Sequence, residues 1–185
     1  MKTYLAIVSS LGLLLLSSEG AISSNERYHQ GQGYHVSSLG TQFHGLKRAF
    51  PGRITPPGKR LFIFSPKHKA WAAYLPNGRL LGYGKASGGS HWCKDIGRSC
   101  RTPRGSFTVV SRGSAGCRSS RYPRPKGGAP MPYCMFFNKH YAIHGSPNVP
   151  NHNASHGCIR VKPKAAKWLR FNFITIGTKV VVTSY

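Results

Sequence analysis

The stretch Tyr141-Ala-Ile-His144-Gly145-Ser-Pro-Asn-Val-Pro-Asn-His-Asn-Ala-Ser155-His156-Gly157-Cys158-Ile159-Arg160-Val161 decides how this chain is read. Tyr141 to Ile143 has the character of a buried strand end, which delivers His144 and breaks at Gly145. A polar loop restricted by Pro147 and Pro150 follows, and Ser155-His156-Gly157-Cys158 then presents a thiol beside a glycine, just ahead of a short apolar run. A nucleophilic thiol needs a base within hydrogen-bond reach and donors aimed at the oxyanion it creates. His144 can supply the base. Main-chain N–H groups of His156, Gly157 and Cys158 can supply the donors, because glycine permits a tight turn and close substrate approach. His156 competes for the role of base, since residues i and i+2 of an extended segment share a face.

Working outward, the segments on either side predict a mainly β domain. Leu61–Phe64 and Ala70–Leu75 are apolar runs, and Pro76-Asn77-Gly78 is a strong hairpin turn leading into Arg79–Ala86. Ser106–Ser111 and Tyr133–Phe137 read as further strands, with Ile174–Val182 closing as a strand pair around Gly177. Hairpins at this spacing, with little helix between them, predict an antiparallel sandwich or barrel-like sheet. One short helix is expected after Cys158, over Lys162–Arg170, with Pro163 suiting its first turn.

These pieces carry a resemblance. Ile143-His144-Gly145 followed by Ser155-His156-Gly157-Cys158-Ile159-Arg160 resembles the signature of the L,D-transpeptidases, the YkuD-type catalytic domain of bacterial cell-wall enzymes, over roughly residues 60–183. Thr102-Pro103-Arg104-Gly105-Ser106-Phe107 and Gly177-Thr178-Lys179-Val180-Val181 support it. The resemblance implies Cys158 as nucleophile, His144 as general base and acid, a main-chain carbonyl as the orienter of His144, and no cofactor. It implies acyl transfer on peptidoglycan stem peptides through a thioester, with release of D-alanine and formation of 3→3 cross-links. Water as acceptor would make the chain an L,D-carboxypeptidase. A basic wall-binding protein with an inert thiol is the non-enzyme alternative. Arg160 either holds a substrate carboxylate or braces the loop, and Ser155 is a further candidate for substrate contact or, like Ser146, for hydrogen bonding to the histidines. Val161 stands where many relatives have Met, and Ser146 where many have Thr; both are mild departures.

Composition narrows the choices. Lys and Arg number 27 against three acids, a formal charge of +24, which favours an anionic partner. Lys2, the leucine-rich run Leu5–Leu16 and Ser18-Glu19-Gly20 read as a signal peptide over residues 1–20, too short for a membrane span. An exported protein, in the periplasm or cell wall, meets stem-peptide carboxylates and other anionic envelope polymers; nucleic acid is not the expected partner. Residues 21–59, poor in aliphatics, are expected to form a flexible segment ahead of a catalytic domain over residues 60–185. Past residue 20 the only acids are Glu26 and Asp95. Glu26 sits in a tail and Asp95 between two cysteines, so paired-carboxylate glycosidase chemistry would need two poorly placed residues, and a Cys-His-Asp triad has few third members.

Five cysteines in an exported chain leave one unpaired. Cys158 is the odd one, and Cys93–Cys100 with Cys117–Cys134 is the preferred of three pairings, each bridge stabilising by roughly 2–4 kcal/mol. His140, His144, His152, His156 and Cys158 are also potential zinc ligands. The two prolines and the absence of a finger or zincin spacing argue against a metal. Arg112–Pro132 is basic and rich in glycine and proline, with Arg118, Arg121, Arg124 and Lys126 around Tyr122. It reads as an active-site flap that steers anionic peptides or as a solvated loop.

Overall fold

In the computed structural model, residues 49–185 are described. Nine strands run β1 Leu61–Ser65, β2 Ala70–Tyr74, β3 Leu80–Ser87, β4 Gly105–Thr108, β5 Ser111–Arg112, β6 Met135–Asn138, β7 Tyr141–Gly145, β8 Ile159–Val161 and β9 Lys179–Val182. They form one sheet in the order β4-β9-β1-β2-β3-β8-β7-β6-β5. The helix α1, Pro163–Trp168, follows β8 and continues into a π-helical turn, Leu169–Phe173.

Among the described residues, the mainly β class and the short helix after Cys158 are as the sequence implies. The sheet is mixed rather than purely antiparallel, because β1 pairs β9 and β7 pairs β8 in parallel. The expected strand pair around Gly177 is one strand only. Thr178 N–H donates to the Thr175 carbonyl at 3.1 Å, so that segment is a turn into β9.

The segment Ser106–Ser111, expected as one strand, is split, and the split curls the sheet. β4 pairs β9 at one edge, while β5 pairs β6 at the other. Only Val109 and Val110 separate them. Val109 N–H donates to Thr178 O and Val110 N–H to Phe136 O, both at 2.9 Å, so one stretch of chain ties the two edges together. Phe107 of β4 meets Phe137 of β6 with ring centroids 5.5 Å apart. Joining its edges this way removes the exposed hydrogen-bonding groups that an open sheet would present.

The main core fills the inside of the curl with Phe62, Phe64, Trp71, Met135, Ile143, Ile159 and Val161. It is sealed by Ala165, Ala166, Leu169 and Phe173 from α1 and the turn after it. A second cluster, Phe50, Leu61, Ala70, Ala72 and Tyr74, covers the outer face of β1 and β2. Strand β2 is therefore buried on both faces, which explains why Ala-Trp-Ala-Ala-Tyr reads as a continuous apolar run. Order also begins ahead of Arg60: Phe50 is buried, and Ile54 N–H donates to Gly78 O at 2.9 Å. The proposed signal peptide and the segment up to residue 48 lie outside the described residues. Among the described residues, no helix is long and apolar enough to cross a membrane.

Phe62, fully buried, stacks on Trp71 with centroids 5.8 Å apart. Truncation of a buried aromatic costs about 3–5 kcal/mol. Phe62→Ala is expected to lower the urea midpoint accordingly, with little change in slope.

Candidate active site

Two adjacent strands build the site. β7 and β8 run parallel in the register Ile143↔Ile159, His144↔Arg160 and Gly145↔Val161. Alternation along each strand sends Ile143, Ile159 and Val161 into the core. The opposite face then carries Ala142 and His144 from β7, with Cys158 and Arg160 from the other segment. Cys158 packs against a small cluster of Met131, Cys134 and Ala142. His144, Cys158 and Arg160 all line one cavity of about 600 Å³, whose far wall is the basic loop around Tyr122.

His144 is 6% exposed. Its Nδ1 lies 2.9 Å from the Gly145 carbonyl. A carbonyl only accepts, so Nδ1 carries the proton and Nε2 is left as the acceptor. A main-chain carbonyl thus orients this ring. Burial pushes the His144 pKa down to about 4; the Gly145 carbonyl opposes that shift and the Arg160 charge adds to it. The imidazole is neutral at physiological pH.

Cys158 is the free cysteine, while Cys93–Cys100 and Cys117–Cys134 are bridged, the preferred pairing. Burial pushes the Cys158 thiol up, against the opposing effects of the Ala142 N–H and the Arg160 charge. The positive surroundings of the motif suggest a thiolate, but desolvation outweighs them, and the resting pair is a thiol and a neutral imidazole. The S–H points to the His140 carbonyl, with sulfur 3.7 Å from that oxygen.

The loop before the thiol is held by Ser155, which is 2% exposed. Its hydroxyl donates to Cys158 O at 2.6 Å and accepts from Gly157 N–H at 3.0 Å. Ser155 therefore braces the loop, and its hydroxyl is already engaged on both sides rather than turned to a ligand. The Gly157 N–H is spent in the same contact, so of the three N–H groups named as candidate oxyanion donors it is already engaged. Gly157 has φ 120°, and a Cβ there would collide with the Tyr141 ring. Ser146 also turns away from the histidines: its hydroxyl donates to Asn148 O at 3.1 Å.

His156 has a different set of partners. Its Nε2 lies 2.8 Å and 3.0 Å from the two Asp95 carboxylate oxygens. Its ring stacks on Tyr122, with centroids 4.1 Å apart and planes 25° from parallel. The His156 hydrogen bond holds the Asp95 carboxyl below its usual range. Nothing in the sequence next to Asp95 marks this Asp95–His156–Tyr122 contact. The signal available was its scarcity: a lone acid in so basic a domain must answer to some nearby cation or imidazole.

The alternative zinc set is not assembled. Among the described residues, the ligand-type side chains within reach of one another are Cys93, Cys100 and His156, and those two sulfurs are bonded to each other.

Residues 58–182 match the family model of the L,D-transpeptidase catalytic domain, YkuD. The chain belongs to that family. Solved structures agree in fold. The L,D-transpeptidase from Xylanimonas cellulosilytica is 26% identical with a TM-score of 0.62, over 76% of this chain and 68% of that one. The enzyme from Stackebrandtia nassauensis is 17% identical with a TM-score of 0.58, over 73% and 60%. L,D-transpeptidase 3 from Mycobacterium tuberculosis, solved with a faropenem-derived adduct, is 22% identical with a TM-score of 0.55, over 68% and 60%. The chain thus spans about two thirds or less of the length of these relatives. No curated protein sequence matches it.

The depressed His144 pKa carries a stability consequence. The unfolded chain takes up a proton on this ring below about 6.5, whereas the folded protein refuses it until about 4. Stability should fall as pH drops from about 6.5 toward 4. Denaturant unfolding at several pH values should show His144→Gln losing less stability than the parent over that window.

Proposed function

We propose that the protein is an L,D-transpeptidase acting on peptidoglycan stem peptides, with Cys158 as nucleophile and His144 as its base. The observation that supports this most is the convergence of His144, Cys158 and Arg160 on one face of two paired strands, inside a cavity large enough for a peptide. The chemistry proceeds in two acyl transfers. On substrate arrival the S–H leaves the His140 carbonyl and gives its proton to His144 Nε2 as sulfur attacks. A neutral pair suits such a coupled transfer, because no buried charge has to be held beforehand.

The attacked carbonyl joins the third stem residue, a diamino acid reacting through its L-centre, to the fourth, D-alanine. Main-chain N–H groups of His156 and Cys158 steady the tetrahedral oxyanion. The imidazolium formed on His144 then protonates the departing D-alanine amine and leaves a thioester. The side-chain amine of a second stem opens the thioester and makes the 3→3 cross-link. Arg160, opposite His144 and with no acidic partner among the described residues, supplies a guanidinium for a substrate carboxylate. The leader-like run Leu5–Leu16 and the +24 charge fit an exported enzyme of the periplasm or wall.

Incubation of the purified protein with disaccharide-tetrapeptide, followed by mass spectrometry, tests the reading. Cross-linked dimer with loss of D-alanine is expected, whereas D-alanine loss alone would identify water as the acceptor. Cys158→Ala should abolish both products. His144→Ala should slow acylation by about 10²–10⁴-fold, the usual contribution of a general base. An unchanged substrate pool with the intact protein would overturn the proposal.

A further inference from the structure

A second cavity, of about 230 Å³, lies beside the first and is lined by Arg98, Ser120, Arg121, Tyr122, Arg124 and Pro125. Arg98, Ser120, Arg121 and Tyr122 also line the large cavity that contains Cys158, so the two share a wall. The arginines come from separate loops. Arg98 sits inside the loop closed by Cys93–Cys100, and Arg121 and Arg124 sit inside the loop closed by Cys117–Cys134. Two covalently tied loops therefore bring three guanidinium groups to one pocket.

Like charges gathered in a pocket repel unless an anion sits among them. The protein supplies little of that anion. Asp95 is the single acidic side chain among the described residues, and His156 already engages both of its oxygens. Arg124 acts on the Asp95 carboxyl from nearby. Arg98 and Arg121 have neither an ion pair nor a side-chain hydrogen bond among the described residues. Both are exposed to the solvent of the pocket.

We propose that Arg98, Arg121 and Arg124 form a subsite for a carboxylate of the peptide substrate, distinct from the guanidinium of Arg160. The assignment rests on the peptide acyl-transfer reading. Tyr122, stacked on His156, forms the sill between the two cavities. A stem peptide reacting at Cys158 and continuing past His156 meets the arginines. The planar fork of arginine takes a carboxylate through two parallel hydrogen bonds, which a lysine cannot do. Phosphate oxygens fit the same fork, so the two anions must be separated by experiment.

The test uses Cys158→Ala, which keeps the peptide uncleaved, and calorimetric binding of disaccharide-tetrapeptide with free or amidated carboxylates. Adding Arg98→Gln and Arg121→Gln should weaken the free-acid peptide by about tenfold or more, the worth of a lost charge-assisted contact. The amidated peptide should bind weakly from the start and respond little to the same substitutions. Arg98→Lys with Arg121→Lys should recover part of the loss. Removing two exposed charges elsewhere, Lys59→Gln with Lys67→Gln, should leave affinity unchanged; an equal loss there would mean a diffuse field and overturn the subsite. Undiminished binding in the arginine variant would overturn it as well. Inorganic phosphate that displaces the free-acid peptide at lower concentration than acetate would reassign the pocket to phosphate. A free-acid peptide that fails to bind even Cys158→Ala would overturn the stem-peptide reading itself, a result distinguishable from loss of the subsite alone.

Discussion

The parallel pairing of β7 with β8 is the constraint on which the site depends. Side chains alternate along a strand, so a shift of one residue in this register would send His144 into the core and Ile143 into the cavity. The register is held by burial: Ile143, Ile159 and Val161 are all fully buried in the main core. Helix α1 locks the same region from behind. A Cβ at Gly145 would meet Pro132 and Ala166 at 3.1 and 3.2 Å, so a side chain there would press closely on both neighbours. The hydrophobic core thus fixes which groups the opposite face offers, and the chemistry inherits its geometry from packing.

On that face desolvation, rather than attraction between charges, sets the resting protonation. Arg160 alone would favour a thiolate at Cys158 and disfavour an imidazolium at His144. Burial outweighs it at sulfur and acts in the same direction at the ring. The outcome is a thiol and a neutral imidazole on one cavity wall, with the Gly145 carbonyl fixing which ring nitrogen can accept. A carbonyl orienter also suits a domain with one acid, since Asp95 is engaged elsewhere with His156. The Tyr122–His156 stack then ties the basic loop to the residue two positions before Cys158.

Much of this was legible in the amino-acid sequence because the informative residues are local. The run from Ile143 to Arg160 names its own chemistry, and the odd cysteine count singles out Cys158. Short loops between Cys93 and Cys100 and between Cys117 and Cys134 suggest the bridges that form. What stayed hidden depends on distant contacts. The parallel pairs β1–β9 and β7–β8 leave no mark on a single strand's pattern. The split at Val109 and Val110 arises because neighbouring residues bond to Thr178 and Phe136, far apart in the chain. Ser155 lines the cavity, and only the folded loop shows that its hydroxyl bonds Cys158 O and Gly157 N–H. The state of the thiol depends on burial, which residue identity alone does not report.

The most direct measurement is a pH titration of the His144 ring by nitrogen-15 NMR, before and after alkylation of Cys158. Protonation at Nδ1, a neutral ring persisting to about pH 4, and a clear shift of the Nε2 resonance on alkylation are the predicted results. A ring that titrates near 6.5 as an ordinary histidine, with mixed tautomers and no response to alkylation, would contradict the account.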